Sequence, residues 1–188
     1  IVLVLEHEAA PLPTIEVVDV AVPRLCGGLR EGRGTGGKHQ QLDAALHQAE
    51  QMLLDGAAIL DIGGESTRPG AADVAEQDEL NRVIPVIEAI RQRFDCAISV
   101  DTSKAAVMSA AVQAGADIIN DVRALLEPGA LDVAIAADVP VCLMHMQGAP
   151  RSMQHLPQYQ HVVAEVKQFL LERATVCEQA GMPRQHII

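Results

Sequence analysis

The chain has 188 residues, 49% of them apolar and 2% aromatic, with a formal net charge of −11. That length supports one domain with a real core, and the core must be aliphatic, since there is no Trp, one Tyr and two Phe. The negative charge and the shortage of stacking platforms argue against nucleic-acid binding, although a local arginine can still hold an anionic substrate.

Residues 1–35 open with an apolar IVLVL run. It is too short for a membrane span and lacks the basic flank of a leader. A strand is expected over 15–22, followed by a Gly- and Arg-rich stretch from Cys26 to Gly37 that reads as a loop. From Leu42 onward, stretches with a 3.6-residue period alternate with short apolar runs. The spacing predicts a helix over 42–55, with Leu42, Ala45, Leu46, Ala49, Met52 and Leu53 on one face. Gly56 ends it, and a strand follows over 57–62. Next come a helix over 73–93 and a strand over 97–100, then a helix over 104–113 ending at Gly115 and a strand over 117–119. A helix over 129–137 precedes a strand over 139–144. A long helix over 159–180 ends at Gly181, and His186, Ile187 and Ile188 open a further strand.

Short apolar strands joined by helices define the α/β class with a parallel sheet. Each clear strand runs at its C-terminal end into polar residues: Glu65 to Arg68, Asp101 to Lys104, Asn120 and Asp121, then His145 and Gln147. A ring of polar groups from successive strand ends is how a TIM (β/α)8 barrel builds its site, whereas an open sheet gathers its ligand groups near one switch point. The expected fold is therefore a TIM (β/α)8 barrel, truncated to roughly its first five or six β/α units, with an atypical first strand. Residues 1–35 form the atypical N-terminal segment, poorly ordered or a degenerate first strand, and 36–188 the partial barrel.

Four stretches carry chemistry. In the first, Asp61 sits inside an apolar strand, where a carboxylate is costly unless it is paired or hydrogen-bonded. Gly63 and Gly64 then allow close backbone approach, and Arg68 is suited to grip a phosphate bidentately. In the second, Asp101 ends a strand, Thr102 or Ser103 is suited to cap the next helix, and Lys104 reads as a solvated or structural charge. In the third, Asn120 offers both donors and an acceptor beside Asp101, so the two can reach one flat heterocycle. In the fourth, Met144 offers a soft surface for a planar ring, and His145 reads mainly as structural. Cys26, Cys96, Cys142 and Cys177 show no metal spacing and read as reduced thiols of a cytoplasmic protein.

The stretches LDIGGESTRPGA, ISVDTSK, ADIINDVRALLEPGAL and PVCLMHMQGAPRSMQ, in this order, resemble the dihydropteroate synthase family over about residues 36–188. The resemblance implies a transferase that joins a dihydropterin methyl diphosphate to 4-aminobenzoate in folate biosynthesis and releases diphosphate. It implies that Asp101 and Asn120 hold the pterin, with Asp61 deeper beside them and Met144 lining the ring. It also implies that Thr67 and Arg68 lie near the diphosphate and the aminobenzoate, where sulfonamides compete. Arg68 and Asp101 are the expected catalytic residues. The implied cofactor is Mg²⁺ on the diphosphate, with no metal ligand assigned in this chain. The implied partners are the two small substrates and a second copy of the chain, with no nucleic acid and no membrane. The alternatives are a methyltetrahydrofolate-type methyltransferase domain, against which the Thr67 to Gly70 run argues, or a non-catalytic pterin-binding remnant. The family's Asn-Val-Thr-Pro-Asp-Ser-Phe loop, whose Asn helps hold the metal, has no counterpart before Gly36, as expected of a shifted reading frame upstream. A full barrel takes about 250 residues. The polypeptide by itself is accordingly expected to be poorly soluble and inactive.

Overall fold

The computed structural model describes residues 17–21, 36–65, 73–147 and 158–188, with side chains from Leu42 onward. Five strands, β1 (Val17–Ala21), β2 (Ile59–Gly63), β3 (Ala97–Asp101), β4 (Ile118–Asp121) and β5 (Val141–Leu143), alternate with α1 (Gly36–Leu54), α2 (Glu76–Arg93), α3 (Ala105–Ala114) and α4 (Ala130–Ala137). The helix α5 (Val162–Gln179) follows β5. Every neighbouring pair of strands is parallel, and the sheet order is β1-β2-β3-β4-β5. The order never reverses, so the sheet lacks the switch point of an open doubly wound fold and winds as a barrel does.

Where a strand is expected to open at His186, the chain makes an isolated bridge one residue on. Arg184–His186 form a 3-10 turn, and Ile187 then bridges Val141 in parallel. The Leu143 amide donates to Ile188 O at 3.0 Å, and the Ile188 amide to Val141 O at 2.9 Å.

Strand alternation divides the sheet into two faces. Leu60, Ile62, Ile98, Val100, Ile119 and Val141 are fully buried and belong to one core with Val83, Ile87 and Ile90 of α2, Met108 and Ala111 of α3, and Ala134 of α4. Each such aliphatic side chain contributes about 1.5–3 kcal/mol on burial. The opposite face carries Asp61, Ser99, Asp101, Asn120 and Cys142, which follow one another across the strands by register. A sheet buried on both faces, helices outside and polar groups inside, is the arrangement of a barrel wall.

At the N-terminal ends of the strands, Arg91 staples three elements. Its guanidinium donates to Gly115 O at 3.0 Å and Cys96 O at 2.9 Å and pairs with Asp117. Gly115 caps α3 with φ +114°, and its amide donates to Ala111 O and Val112 O. A Cβ there would press on Arg91 Cγ at 3.0 Å, so both backbone and packing select glycine. At the other end, Gly64 lies against α2, where an added Cβ would stand 2.7 Å from Val83 Cγ2 and 2.9 Å from Glu79 Cγ. Gly64→Ala is expected to destabilise the fold by about 1–3 kcal/mol through overpacking, read as a lower Tm.

Candidate active site

Three of the expected site residues meet on β2, β3 and β4, Asp61 at the middle of β2 and Asp101 and Asn120 toward the C-terminal ends of β3 and β4. Asp61 is 6% exposed, and Asn120 Nδ2 donates to its Oδ2 at 3.0 Å. Asp101 is the register partner of Gly63 on one side and of Asn120 on the other. Gly63 lies against Asp101: an added Cβ would stand 3.4 Å from Asp101 Cβ and 3.5 Å from its Oδ2, ordinary van der Waals contact. Asn120 Oδ1 is buried and accepts no hydrogen bond among the described residues. The cluster thus combines two carboxylates with one amide oxygen, a set of acceptors suited to a flat ring edged with amino and ring N–H donors.

Cys142 is the register partner of Asn120. Burial, and then the charge of Asp61, pushes its thiol up, which makes it an inert floor rather than a nucleophile. Met144 leaves the end of β5, and its amide donates to Asp121 O at 3.2 Å. His145 packs edge-on against the ring of Phe169 at 5.0 Å and tilted against Tyr159 at 6.0 Å. It holds α5 to β5, in keeping with its reading as structural. Thr67 and Arg68 lie outside the described residues.

The polar residues after β3 serve buried carboxylates instead of capping α3. The N-cap of α3 is Lys104, with no side-chain cap bond. The Thr102 hydroxyl donates to Glu79 Oε1 at 2.6 Å and accepts the Lys104 amide at 3.2 Å. The Ser103 hydroxyl donates to Asp121 Oδ1. A buried carboxylate without donors costs more than an uncapped helix start, which explains the difference from the expectation. Lys104 itself is structural, paired with Glu65 and Glu79. Burial pulls its pKa down, but the hydrogen bonds to both carboxylates and their charges outweigh that, so the net direction is up and the ammonium persists.

Asp121 is fully buried and also accepts the amides of Arg123 at 2.9 Å and Leu125 at 2.7 Å, which shapes a turn where Ala124 and Leu125 take positive φ. Burial raises its carboxyl above the ordinary 3.8, against the pull of Ser103 and the two amides. The native state therefore holds that proton more tightly than the unfolded chain. The resulting stabilisation is complete below the ordinary carboxylate value and fades as pH rises through the raised one. The Tm advantage of wild type over Asp121→Asn is expected to shrink as pH rises past the ordinary carboxylate value of 3.8.

A polar cavity of about 360 Å³ adjoins these strand ends, lined among others by Glu65, Glu79, Asp101, Lys104, Arg123 and Glu127. Asp61, Asn120 and Met144 do not line it. The Asp61–Asn120 pair is the better ligand floor, because it stands on the inner face of the sheet, where barrels bind.

A family profile described as pterin binding enzyme matches residues 33–188. The chain belongs to this family. It is 52% identical over 174 residues to the dihydropteroate synthase of Haemophilus influenzae, an alignment covering 91% of this chain and 63% of that protein. A Yersinia pestis dihydropteroate synthase solved with a sulfonamide drug complex is 48% identical, with a TM-score of 0.78, over 91% of this chain and 59% of that one. A Xanthomonas albilineans dihydropteroate synthase solved with 4-aminobenzoic acid is 45% identical, with a TM-score of 0.79, over 91% and 58%. The fold is thus that of the synthase barrel. The aligned stretch is longer than residues 36–188, so it reaches into the part that holds β1. The chain spans less than two thirds of the length of these relatives.

Among the described residues no three His, Cys, Asp or Glu side chains stand together as metal ligands. Also among the described residues, no helix is long and apolar enough to cross a membrane.

Proposed function

We propose that this chain forms the pterin-facing part of a dihydropteroate synthase. The reaction joins 6-hydroxymethyl-7,8-dihydropterin diphosphate to 4-aminobenzoate and releases diphosphate. The supporting observation is the Asn120–Asp61 hydrogen bond beside Asp101 on adjacent strand ends, in a chain about half identical to named synthases.

In this reading the pterin lies over the inner sheet face. Asp101 and Asn120 take its donor edge, Asp61 stands beneath, and Met144 lines the ring. Loss of diphosphate leaves positive charge spread over the pterin and its exocyclic carbon. The fixed carboxylates of Asp61 and Asp101 stabilise that charge without reorganising, as preorganised electrostatics requires. Arg68 neutralises the departing diphosphate, and Thr67 and Arg68 place the aryl amine so that its nitrogen attacks the carbon and then loses a proton. Mg²⁺ bound with the diphosphate would help neutralise the departing charge. The homodimer implied by the resemblance belongs to the same reading.

The test is a hybrid in which residues 36–188 replace the matching part of the Haemophilus influenzae synthase. It should form dihydropteroate from the two substrates. A hybrid that folds but does not bind the pterin diphosphate would refute the proposal.

A further inference from the structure

In the turn between β4 and α4, two consecutive residues without glycine's freedom, Ala124 and Leu125, take the left-handed region at φ 52° and 58°. Such backbone persists only where its surroundings hold it. The turn points the amides of Arg123 and Leu125 at the Asp121 carboxylate, at 2.9 Å and 2.7 Å. It is an anion nest whose anion is the chain's own buried side chain. From outside, Arg173 of α5 donates to Ala124 O at 2.9 Å and to Leu125 O at 3.2 Å. Asp121 in turn holds the strands of the candidate site. The Ser103 hydroxyl, two residues past Asp101, donates to its Oδ1. The Met144 amide, one residue past β5, donates to its carbonyl oxygen at 3.2 Å. Asn120 precedes it on β4, and the Asn120 carbonyl accepts the Thr102 amide at 3.1 Å. Asp101, Asn120 and Met144 thus all stand close in the chain to a group bonded to Asp121.

We propose that Asp121 is a positioning residue: held by the turn over 123–125, it fixes the placement of Asp101, Asn120 and Met144 relative to one another for the pterin ring. This rests on the proposed function, in which those three residues contact the ring. A turn that only led into α4 would be served by the amides of Arg123 and Leu125. The bonds from Ser103 and Met144 tie it to β3 and β5 as well. A flat ring engages groups from three strands only if their spacing is held, and misplacement by about 1 Å is costly. The carboxylate acts from behind, because one step along β4 turns it to the face opposite Asn120.

The test compares Ser103→Ala, Ser103→Thr and Asp121→Asn in the full chain by NMR and by equilibrium binding of the pterin diphosphate, well below every Tm. Ser103→Ala removes one bond to Asp121 and lies outside the residues assigned to the ring. It should shift the signals of the Asn120 side-chain amide and the Met144 backbone amide, leave those of Ile90 and Gly115 in place, and weaken pterin affinity about fivefold. Asp121→Asn should move the same signals and weaken affinity about 30-fold. Ser103→Thr keeps the hydroxyl and should return both readouts toward wild type. Should Asp121→Asn not fold, the two Ser103 variants carry the same readouts. Unchanged signals and affinity, whatever the Tm, reduce Asp121 to support of the fold and overturn the proposal. Shifted signals with affinity unchanged overturn it too. Shifted signals in a chain whose wild type binds no pterin diphosphate uphold the coupling and count instead against the proposed function.

Discussion

Asp101→Asn is expected to weaken binding of the dihydropterin diphosphate by roughly 100-fold while the protein stays folded. The estimate follows from the groups involved. An ionised acceptor facing two ring donors gives charge-assisted hydrogen bonds of about 1.5–3 kcal/mol each, and an amide of the same size keeps only part of that. Every 1.4 kcal/mol or so is tenfold in affinity. Asp101 ends β3 and lies next to Gly63 and Asn120 in register, with the sheet core behind it. The substitution should therefore leave Tm within about 2 °C. Asn120→Ala should behave differently. It deprives the buried Asp61 of a 3.0 Å donor, so stability and affinity should fall together. Titration calorimetry with the pterin diphosphate, beside thermal unfolding, separates the two. An Asp101→Asn affinity within about threefold of wild type would remove Asp101 from the site.

Much of this architecture was legible because the signals are local. Apolar runs such as 59–62 and 97–100 have no other reading once helices flank them, and Gly56, Gly115 and Gly181 mark helix ends that do take positive φ. The positions of Asp101 and Asn120 at strand ends, and of Asp61 inside its strand, followed from the same alternation. What stayed hidden depends on partners distant in sequence. Glu79 looks like one more acid in the first turn of α2, among Glu76 and Asp78. Only Thr102 and Lys104, more than twenty positions away, make it a buried hub. Asn120 and Asp121 read as one polar pair, but a single step along a strand reverses the face. Asn120 bonds Asp61 on the inner face, whereas Asp121 is buried against the turn before α4. The strand expected over 15–22 is present as Val17–Ala21. Its parallel place beside β2 could not be read from a segment whose flanks carry no periodic pattern.

The pairing of Glu79 with Lys104 and Thr102 yields the largest stability effect. Glu79→Ala is expected to destabilise the fold by about 3–5 kcal/mol, and Glu79→Gln by less than about 1.5 kcal/mol. Alanine removes a fully buried carboxylate, leaves the Thr102 hydroxyl without that acceptor, and opens a cavity under Gly64, whose Cα packs near Glu79 Cγ. Glutamine keeps the volume and still offers an oxygen to Thr102. It also changes the charge balance favourably. Two carboxylates share one ammonium here, and removing one leaves Lys104 and Glu65 as a neutral pair. The charge of Glu79 is thus expected to matter less for stability than its shape and its hydrogen bonds, because much of the Coulombic gain is spent on desolvation. Denaturant unfolding at neutral pH, in low and in high salt, decides this. A buried contact is little screened, so the gap between the two variants should hold in 1 M salt, where the Debye length is about 3 Å. Equal losses for alanine and glutamine would show that the charge itself holds α2 in place.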